Sequence, residues 1–374
     1  MDSERCTRCG KCLEVCPKDK PLKPADSSFE TAYYIAKTRD KDVLLDSHAG
    51  GIFSMLGKAV IAEGGAVYGC AFDENRHPRH IRADSLQRLK TLRGLKPVQS
   101  DTGGIYAAVR ADAESGIPVL FSGTPCQCDG LRGYLGRDYD NLILVDMLCG
   151  GVTSEGVFNR YFYRLEQRLG GKISDIRFEN KRAFGHSRGM RAIYRRGKFR
   201  YLLSFPAEWD TLYAMSRDGY LNRRSCGTCQ YASPVRVGDI SLGRFEKARR
   251  AHPDFPYDNG ASLVVISSDK GARLWEKIAE RVICEPSDLA RASANRRLTA
   301  PPPQNKNRAK LLTDIYRNGF AKAAENYGSP SPLASAAALL KSAVPDKAVI
   351  GFDRAVRETK KFVMEHIHAK EGRK

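Results

Sequence analysis

The sequence predicts an α/β protein with a mixed-sheet core, and three observations carry that expectation. Between residues 52 and 169, short apolar runs alternate with segments of helical period, the pattern of strands feeding helices. Two arginine-rich stretches, ISDIRFEN and MRAIYRRGKFRYLLSF, instead resemble antiparallel strands. Ahead of both, the first 24 residues hold a cysteine cluster that ends in the proline-marked CPKDKPLKP, the mark of a small appended unit.

Each element follows from its local chemistry. In GIFSMLGKAVIAEGG, Ile52, Met55, Leu56, Ala59 and Val60 share one helical face, and Gly64 and Gly65 stop the helix. GAVYGCAF reads as a strand, DTGGIYAAVRADAESG as a helix, and IPVLFSGTPCQ as a strand running into a turn. GLRGYLG is a helix and NLILVD a strand; residues 153–169 are helical, with Val157, Tyr161, Leu165 and Leu169 four apart before Gly170 and Gly171. SLVVISSDKGARLWEKIAERV restores a strand–helix pair, and TAPPPQNKNR marks a linker. Helices are expected near 308–326 and 352–369. The expected organisation is a cysteine module over 1–24, an α/β domain over 25–171, a second lobe over 172–330 and a helical tail over 331–374.

The chain has 374 residues, enough for two or three structural units. Its longest apolar runs, GIPVLF, NLILV and SLVVI, are too short to cross a bilayer, so no membrane span is expected. The polar, cysteine-rich first residues show neither a signal core nor a transit pattern, so a cytoplasmic protein is expected. Lysine and arginine number 62 against 43 acidic residues, a formal charge of +19. Such a balance favours acidic partners, an acidic electron carrier among them, and also serves plain solubility. The basic residues are dispersed, with no recognition-helix, RNP or zinc-finger pattern, so nucleic acid is not an expected partner.

Eleven cysteines, several only two or three residues apart, argue against a disulfide scaffold and for metal binding. Cys6, Cys9, Cys12, Cys16 and Pro17 give C-x2-C-x2-C-x3-C-P, the run that wraps a short loop around a cubic 4Fe-4S cluster. Zinc is the rival, but its ligand pairs usually stand well apart in sequence. The module is therefore read as ferredoxin-like. Cys126 in GTPCQ and Cys149 in MLCGG each follow a strand, where open α/β sheets gather their functional loops. With Cys226 and Cys229 of SCGTCQ they could converge on a second cluster; singly, each such cysteine is more often a small buried hydrophobe. Cys70 and Cys284 fit that bland role, and Cys128 stays undecided.

Glycines before helices form a second theme. Gly50 and Gly51 in SHAGGIF stand at a helix start, where unpaired N–H groups suit an anion, although spacing alone favours an ordinary glycine-rich turn. Gly123 and Thr124 in SGTPCQ, and Ser100 and Thr102 in SDTGG, offer similar cradles. Neither a G-x-G-x-x-G after a strand nor a Walker motif occurs.

Taken in order, the cysteine run, SHAGGIFSMLGKAVIAEGGAVYGCAF, LRGLKPVQSDTGGIY, VLFSGTPCQCDGLRGYLG, NLILVDMLCGG, RSCGTCQYASPVRVGDISLG and DNGASLVVISSDKGARLWEKI resemble the coenzyme F-420 hydrogenase/dehydrogenase beta-subunit family over most of residues 4–325. The family reads close to SSSGG, GSKY, CHG and LGDFWG where this chain has SHAGG, GLKP, CGG and LGRFEK. The resemblance implies a flavin-containing iron–sulfur oxidoreductase. FAD would lie near Gly50 and Gly51, the Gly94 to Ser100 segment with Lys96, and the turn of Gly123 and Thr124. Cys126, Cys149, Cys226 and Cys229 would lie near a cluster. It further implies electron exchange between a ferredoxin-type carrier and a hydride-accepting coenzyme or substrate, coenzyme F-420 being one candidate. The alternative is a non-catalytic electron-transfer subunit of a larger redox complex. Lys96, Lys181, Arg182 and Arg188 could attract an anion, although arginines in such strands are more often a solvated face. His48 could lie beside the flavin or serve only as a polar loop residue.

Overall fold

A computed structural model of the chain describes residues 4, 6–184 and 189–328. Arg188, the expected tail over 331–374 and its helix near 352–369 lie outside these residues. Among the described residues eleven strands, numbered in chain order, form two sheets: β1 Ala32–Thr38, β2 Ala66–Phe72, β3 Pro78–Ala83, β4 Val119–Gly123, β5 Leu142–Met147, β6 Lys172–Arg177, β7 Gly189–Arg196, β8 Phe199–Pro206, β9 Ile240–Arg244, β10 Ser262–Ile266 and β11 Val282–Ser287.

The larger sheet has the order β11-β1-β10-β9-β5-β4-β2-β3 and is mixed, so the molecule is the α/β protein the sequence predicts. Strands β2, β4, β5 and β9 run parallel, β10 is antiparallel to β9, and β1 is antiparallel to β10. Five strands, β1, β2, β4, β5 and β9, therefore end at the same edge. Strict alternation buries both faces. Val67, Leu120, Ile143 and Val145 pack on helix Ile52–Ala62, while Tyr68, Val119, Phe121 and Leu144 pack on helices Ile105–Glu114 and Pro125–Leu135.

Strands β6, β7 and β8 make the second, antiparallel sheet. Ile173, Ile176, Met190 and Ala192 from it join helices Glu155–Leu169, Thr211–Arg217 and Arg308–Tyr327 in a separate apolar cluster. The expected boundary at residue 171 does not divide the large sheet. Its β1 pairs with β10 and β11, and its β5 with β9, so strands from both sides of that boundary build one layer. The expected linker at 299–308 is also packed: a Cβ on Gly227 would meet the Gln304 side chain at 2.4 Å. Among the described residues no helix is long and apolar enough to cross a membrane.

Candidate metal centre and flanking loops

The N-terminal run folds into a tight loop. Arg8 (φ 55) and Gly10 (φ 77) take left-handed backbone, which returns the chain between successive cysteines before the short helix Lys11–Glu14. Cys6, Cys9 and Cys12 are exposed and Cys16 is half-buried, all as free thiols. The Lys11 N–H and the Thr7 side chain hold the Cys9 thiol below its ordinary range, which favours the thiolate that iron requires.

Cys126 sits in the first turn of helix Pro125–Leu135, at the end of β4. Proline at the first helical position and the Gln127 Oε1 that accepts the Thr124 N–H at 3.0 Å fix that turn. Cys149 follows β5. Gly151 (φ 89) bends the chain behind it, because a Cβ there would meet the Asn222 side chain at 2.6 Å. The Arg223 N–H donates to the Val152 carbonyl at 3.1 Å and Thr153 bridges Asn222, which brings the Cys226 segment alongside.

Cys126, Cys149 and Cys229 each respond to burial and to a neighbouring cysteine. Burial first, then the neighbouring Cys126 and Cys226, push Cys149 up to about 12. Burial, then Cys229 and Cys226, raise Cys126, which reaches solvent on one side yet is crowded on the others. Cys229 is raised by burial and by Cys226, with the Arg236 charge opposing. Neighbouring sulfur donors that repel one another when ionised suit a cationic iron–sulfur core. Among the described residues no three His, Cys, Asp or Glu side chains converge on a point fit for a single ion. A cubic cluster carries each thiolate on a separate iron, so its ligands stand further apart than those of one ion. Cys128 is fully buried against the Val145 carbonyl, and Cys70 and Cys284 lie elsewhere on β2 and β11.

A buried pair holds the Cys226–Cys229 loop to the sheet. Arg236 and Asp146 have side chains 1% and 0% exposed. The Arg236 guanidinium donates to Asp146 Oδ1 at 2.6 Å, to the Tyr231 and Ser233 carbonyls and to Ser241 Oγ. The N-terminal module docks on the same structures. Gln230 Nε2 donates to the Pro17 carbonyl at 2.9 Å, and Arg132 NH1 and NH2 donate to the Pro24 and Ala25 carbonyls. Helix Pro125–Leu135 admits the module because Gly133 lacks a side chain: a Cβ there would stand 2.6 Å from the Val15 carbonyl oxygen.

The residues expected around a flavin gather at the same edge, yet most of their polar atoms already have protein partners. A Cβ on Gly50 would stand 2.2 Å from the Ala36 carbonyl oxygen, and the Gly50 N–H donates to Ser262 Oγ at 2.9 Å. Chain packing, then, demands glycine there. Gly51 (φ 78) caps helix Ile52–Ala62, and Gly94 (φ 82) ends the turn after helix Leu86–Leu92. Lys96 Nζ donates to the Leu92 and Arg93 carbonyls at 3.0 and 2.8 Å, and burial lowers the ammonium to about 8. Ser100 Oγ donates to His80 Nδ1 at 2.8 Å and accepts from Gln127 Nε2 at 3.0 Å, while Gly123 packs on Gln127. At the SDTGG turn, ahead of helix Ile105–Glu114, a Cβ on Gly103 (φ 44) or Gly104 would meet nothing within 4 Å, but the Gly103 N–H already donates to Asp101 Oδ1 at 2.9 Å. Gly50, Lys96 and Gly103 therefore do not form a ready phosphate cradle.

The expected anion-attracting residues are internally paired as well. Lys181 Nζ donates to the Leu44 carbonyl at 3.0 Å and to that of Ala49, and Arg182 pairs with Asp42 and Asp46. His48 meets Glu179 at 2.6 Å, and Arg244 donates to the same Glu179 oxygen at 2.9 Å. Against the cost of burial, His48, Arg244 and Lys181 hold the Glu179 carboxyl well below the usual carboxylate range. Glu179, Arg244 and Arg297, whose guanidinium lies against Gly150, had no local motif to announce them.

Residues 118–291 match the family model for the C terminus of the coenzyme F420 hydrogenase/dehydrogenase beta subunit, and residues 1–19 match the 4Fe-4S binding domain. Among curated proteins none matches. A chain from the xenon-derivatised F420-reducing NiFe hydrogenase complex of Methanosarcina barkeri is similar at 16% identity and a TM-score of 0.46, over 84% of this chain and 100% of that one. Residues 118–291 are therefore similar to the C-terminal part of the coenzyme F420 hydrogenase/dehydrogenase beta subunit, and residues 1–19 to a 4Fe-4S binding domain.

Proposed function

We propose that the protein is an iron–sulfur oxidoreductase with two clusters in series, one on Cys6, Cys9, Cys12 and Cys16 and an inner one on Cys126, Cys149, Cys226 and Cys229. The observation that carries this reading is the placement of the inner quartet: Cys126 at the end of β4, Cys149 after β5, and Cys226 and Cys229 in the segment that the Arg223–Val152 hydrogen bond and the Thr153–Asn222 bridge bring alongside. The Pro17–Gln230 hydrogen bond supports a route between the two sets, since Pro17 follows Cys16 and Gln230 follows Cys229. An acidic ferredoxin-type carrier would meet the exposed module, drawn by the net positive charge.

A flavin, when bound at this edge, would supply exchange between two-electron and one-electron chemistry. Residues of this chain would shape its surroundings: the turn at Gly104 ahead of helix Ile105–Glu114, and neutral His80, lowered to about 4 by burial, bracing Ser100 beside the Thr124 turn. The hydride-accepting coenzyme or substrate, coenzyme F420 included, belongs to the same proposal. The second reading, a non-catalytic electron-transfer subunit of a redox complex, draws on the internal pairing of Lys96, Lys181 and Arg182, which leaves substrate recognition to another chain.

Anaerobic reconstitution with ferrous iron, sulfide and FAD tests these parts separately. About eight irons and eight sulfides per chain are expected, with about half remaining in Cys226→Ser/Cys229→Ser. Four or fewer irons in the parent protein would overturn the inner cluster. Acid release and chromatography of flavin test the flavin, and its absence after reconstitution rejects that part alone. Turnover of a reduced deazaflavin by the isolated chain separates the enzyme from the electron-transfer subunit.

A further inference from the structure

The hairpin of β7 and β8 stands apart in composition and exposure from the rest of the surface. Across residues 189–204 it has no acidic side chain, while Arg195, Arg196, Lys198 and Arg200 are exposed around the turn at Gly197. Among them Phe199 is 70% exposed, Leu202 66% and Tyr201 42%. The register decides what could cover them. Phe199 lies opposite Arg196 and Tyr201 opposite Tyr194, whereas Leu202 lies opposite Ile193. Alternation along β8 places Phe199 and Tyr201 on one face of the hairpin and Leu202, with Arg200, on the other.

A protein partner docked on one face would leave an apolar side chain of the other face in water. A medium that surrounds the tip covers both. The boundary between headgroups and acyl chains of a bilayer is such a medium: it accepts aromatic and aliphatic side chains from every side and places phosphates around them. The surrounding charges favour an anionic surface, since Lys172 of β6 extends the basic row opposite Arg195. The acids beside this row are already paired: Glu166 with Lys172 and Arg76, and Asp175 of β6 with Arg177 and Arg191.

We propose that the β7–β8 hairpin tip docks the protein on an anionic lipid bilayer. Phe199, Tyr201 and Leu202 enter the headgroup layer, and Arg195, Arg196, Lys198 and Arg200 pair with lipid phosphates. This is reversible surface attachment and requires no membrane-spanning helix. It stands on the hairpin alone and does not depend on the electron-transfer reading.

Co-sedimentation of the cluster-loaded full chain with vesicles tests it. Binding to phosphatidylcholine vesicles containing about one-third phosphatidylglycerol is expected to exceed that to pure phosphatidylcholine by about tenfold and to weaken with salt. Phe199→Ser/Leu202→Ser, with iron content and circular dichroism unchanged, is expected to lower binding about tenfold while retaining every charge. Phe199→Trp supplies a second readout, a blue-shifted emission on adding anionic vesicles. Equal binding to both vesicle types, binding unaffected by the double substitution, or an unshifted Trp emission would overturn the proposal. So would binding of an RNA fragment through the same residues without vesicle binding.

Discussion

Arg236 governs the order of the Cys226–Cys229 loop. Its guanidinium holds two loop carbonyls and the buried Asp146 at once, a fan of donors that a lysine ammonium cannot reproduce. Arg236→Met would leave Asp146 buried without its counter-ion, at a cost of about 3–5 kcal/mol. The expected outcome is loss of inner-cluster iron with the N-terminal cluster retained, read by iron analysis alongside thermal unfolding. A pH dependence sits at Asp210, which accepts from the Tyr161 hydroxyl at 2.7 Å and is raised to about 6 by burial. A carboxyl whose folded pKa exceeds the unfolded one favours the folded state most at low pH. Its contribution declines as pH rises from about 4 through about 6. Asp210→Asn keeps an acceptor for Tyr161 and Tyr213, so its stability relative to the parent should increase over that interval; denaturant melts at pH 4 and 7 would reveal it. At this scale the N-terminal cysteine run was legible because iron–sulfur ligation imposes short spacings. Glu179 and Arg244 were not, because their pairing joins residues 65 positions apart and leaves no local pattern.

Helix Pro125–Leu135 shows how one element can serve two ends. Its first turn carries Cys126, and two turns later Gly133 makes room for the N-terminal module. Gly133→Val should force the module off the helix while sparing the sheet. The expected signs are rapid proteolysis near residue 24 and loss of the N-terminal cluster with the core resistant. Gln230→Ala removes the hydrogen bond to Pro17 without touching a ligand, so both clusters should assemble while magnetic coupling between them weakens in electron paramagnetic resonance spectra. Helices and central strands could be read from the sequence because their periods of 3.6 and 2 persist over long apolar runs. Strand β1 escapes such a reading although buried, and β3, β9 and β11 are short or interrupted. Pro286 suits the sheet-edge position of β11, and a Cβ on Gly243 in β9 would strike Leu148 at 2.7 Å. Such strands owe their conformation to the neighbours that hydrogen-bond them.

At the scale of the molecule, the large sheet explains why boundaries read from composition do not mark independent folding units. A fragment of residues 25–171 would expose both sides of β1 and one side of β5. It is expected to be insoluble or unfolded by circular dichroism, whereas a chain lacking only residues 1–24 should retain its melting transition. The sequence conveyed the alternation that makes an α/β layer but not the order of its strands, which depends on pairings such as β1 with β10 across more than two hundred residues.

The docking contacts of the N-terminal module also set a timetable for synthesis. Its four cysteines leave the ribosome ahead of the others, and their closely spaced loop can take up iron and sulfide locally. The inner quartet draws on Cys126, Cys149, Cys226 and Cys229, and the berth for the module is completed only by Gln230 and Arg236. On the two-cluster reading proposed above, assembly factors that deliver metal would meet two different clients on the same nascent chain, a peptide ready at once and a nearly finished domain that must close before it can be charged.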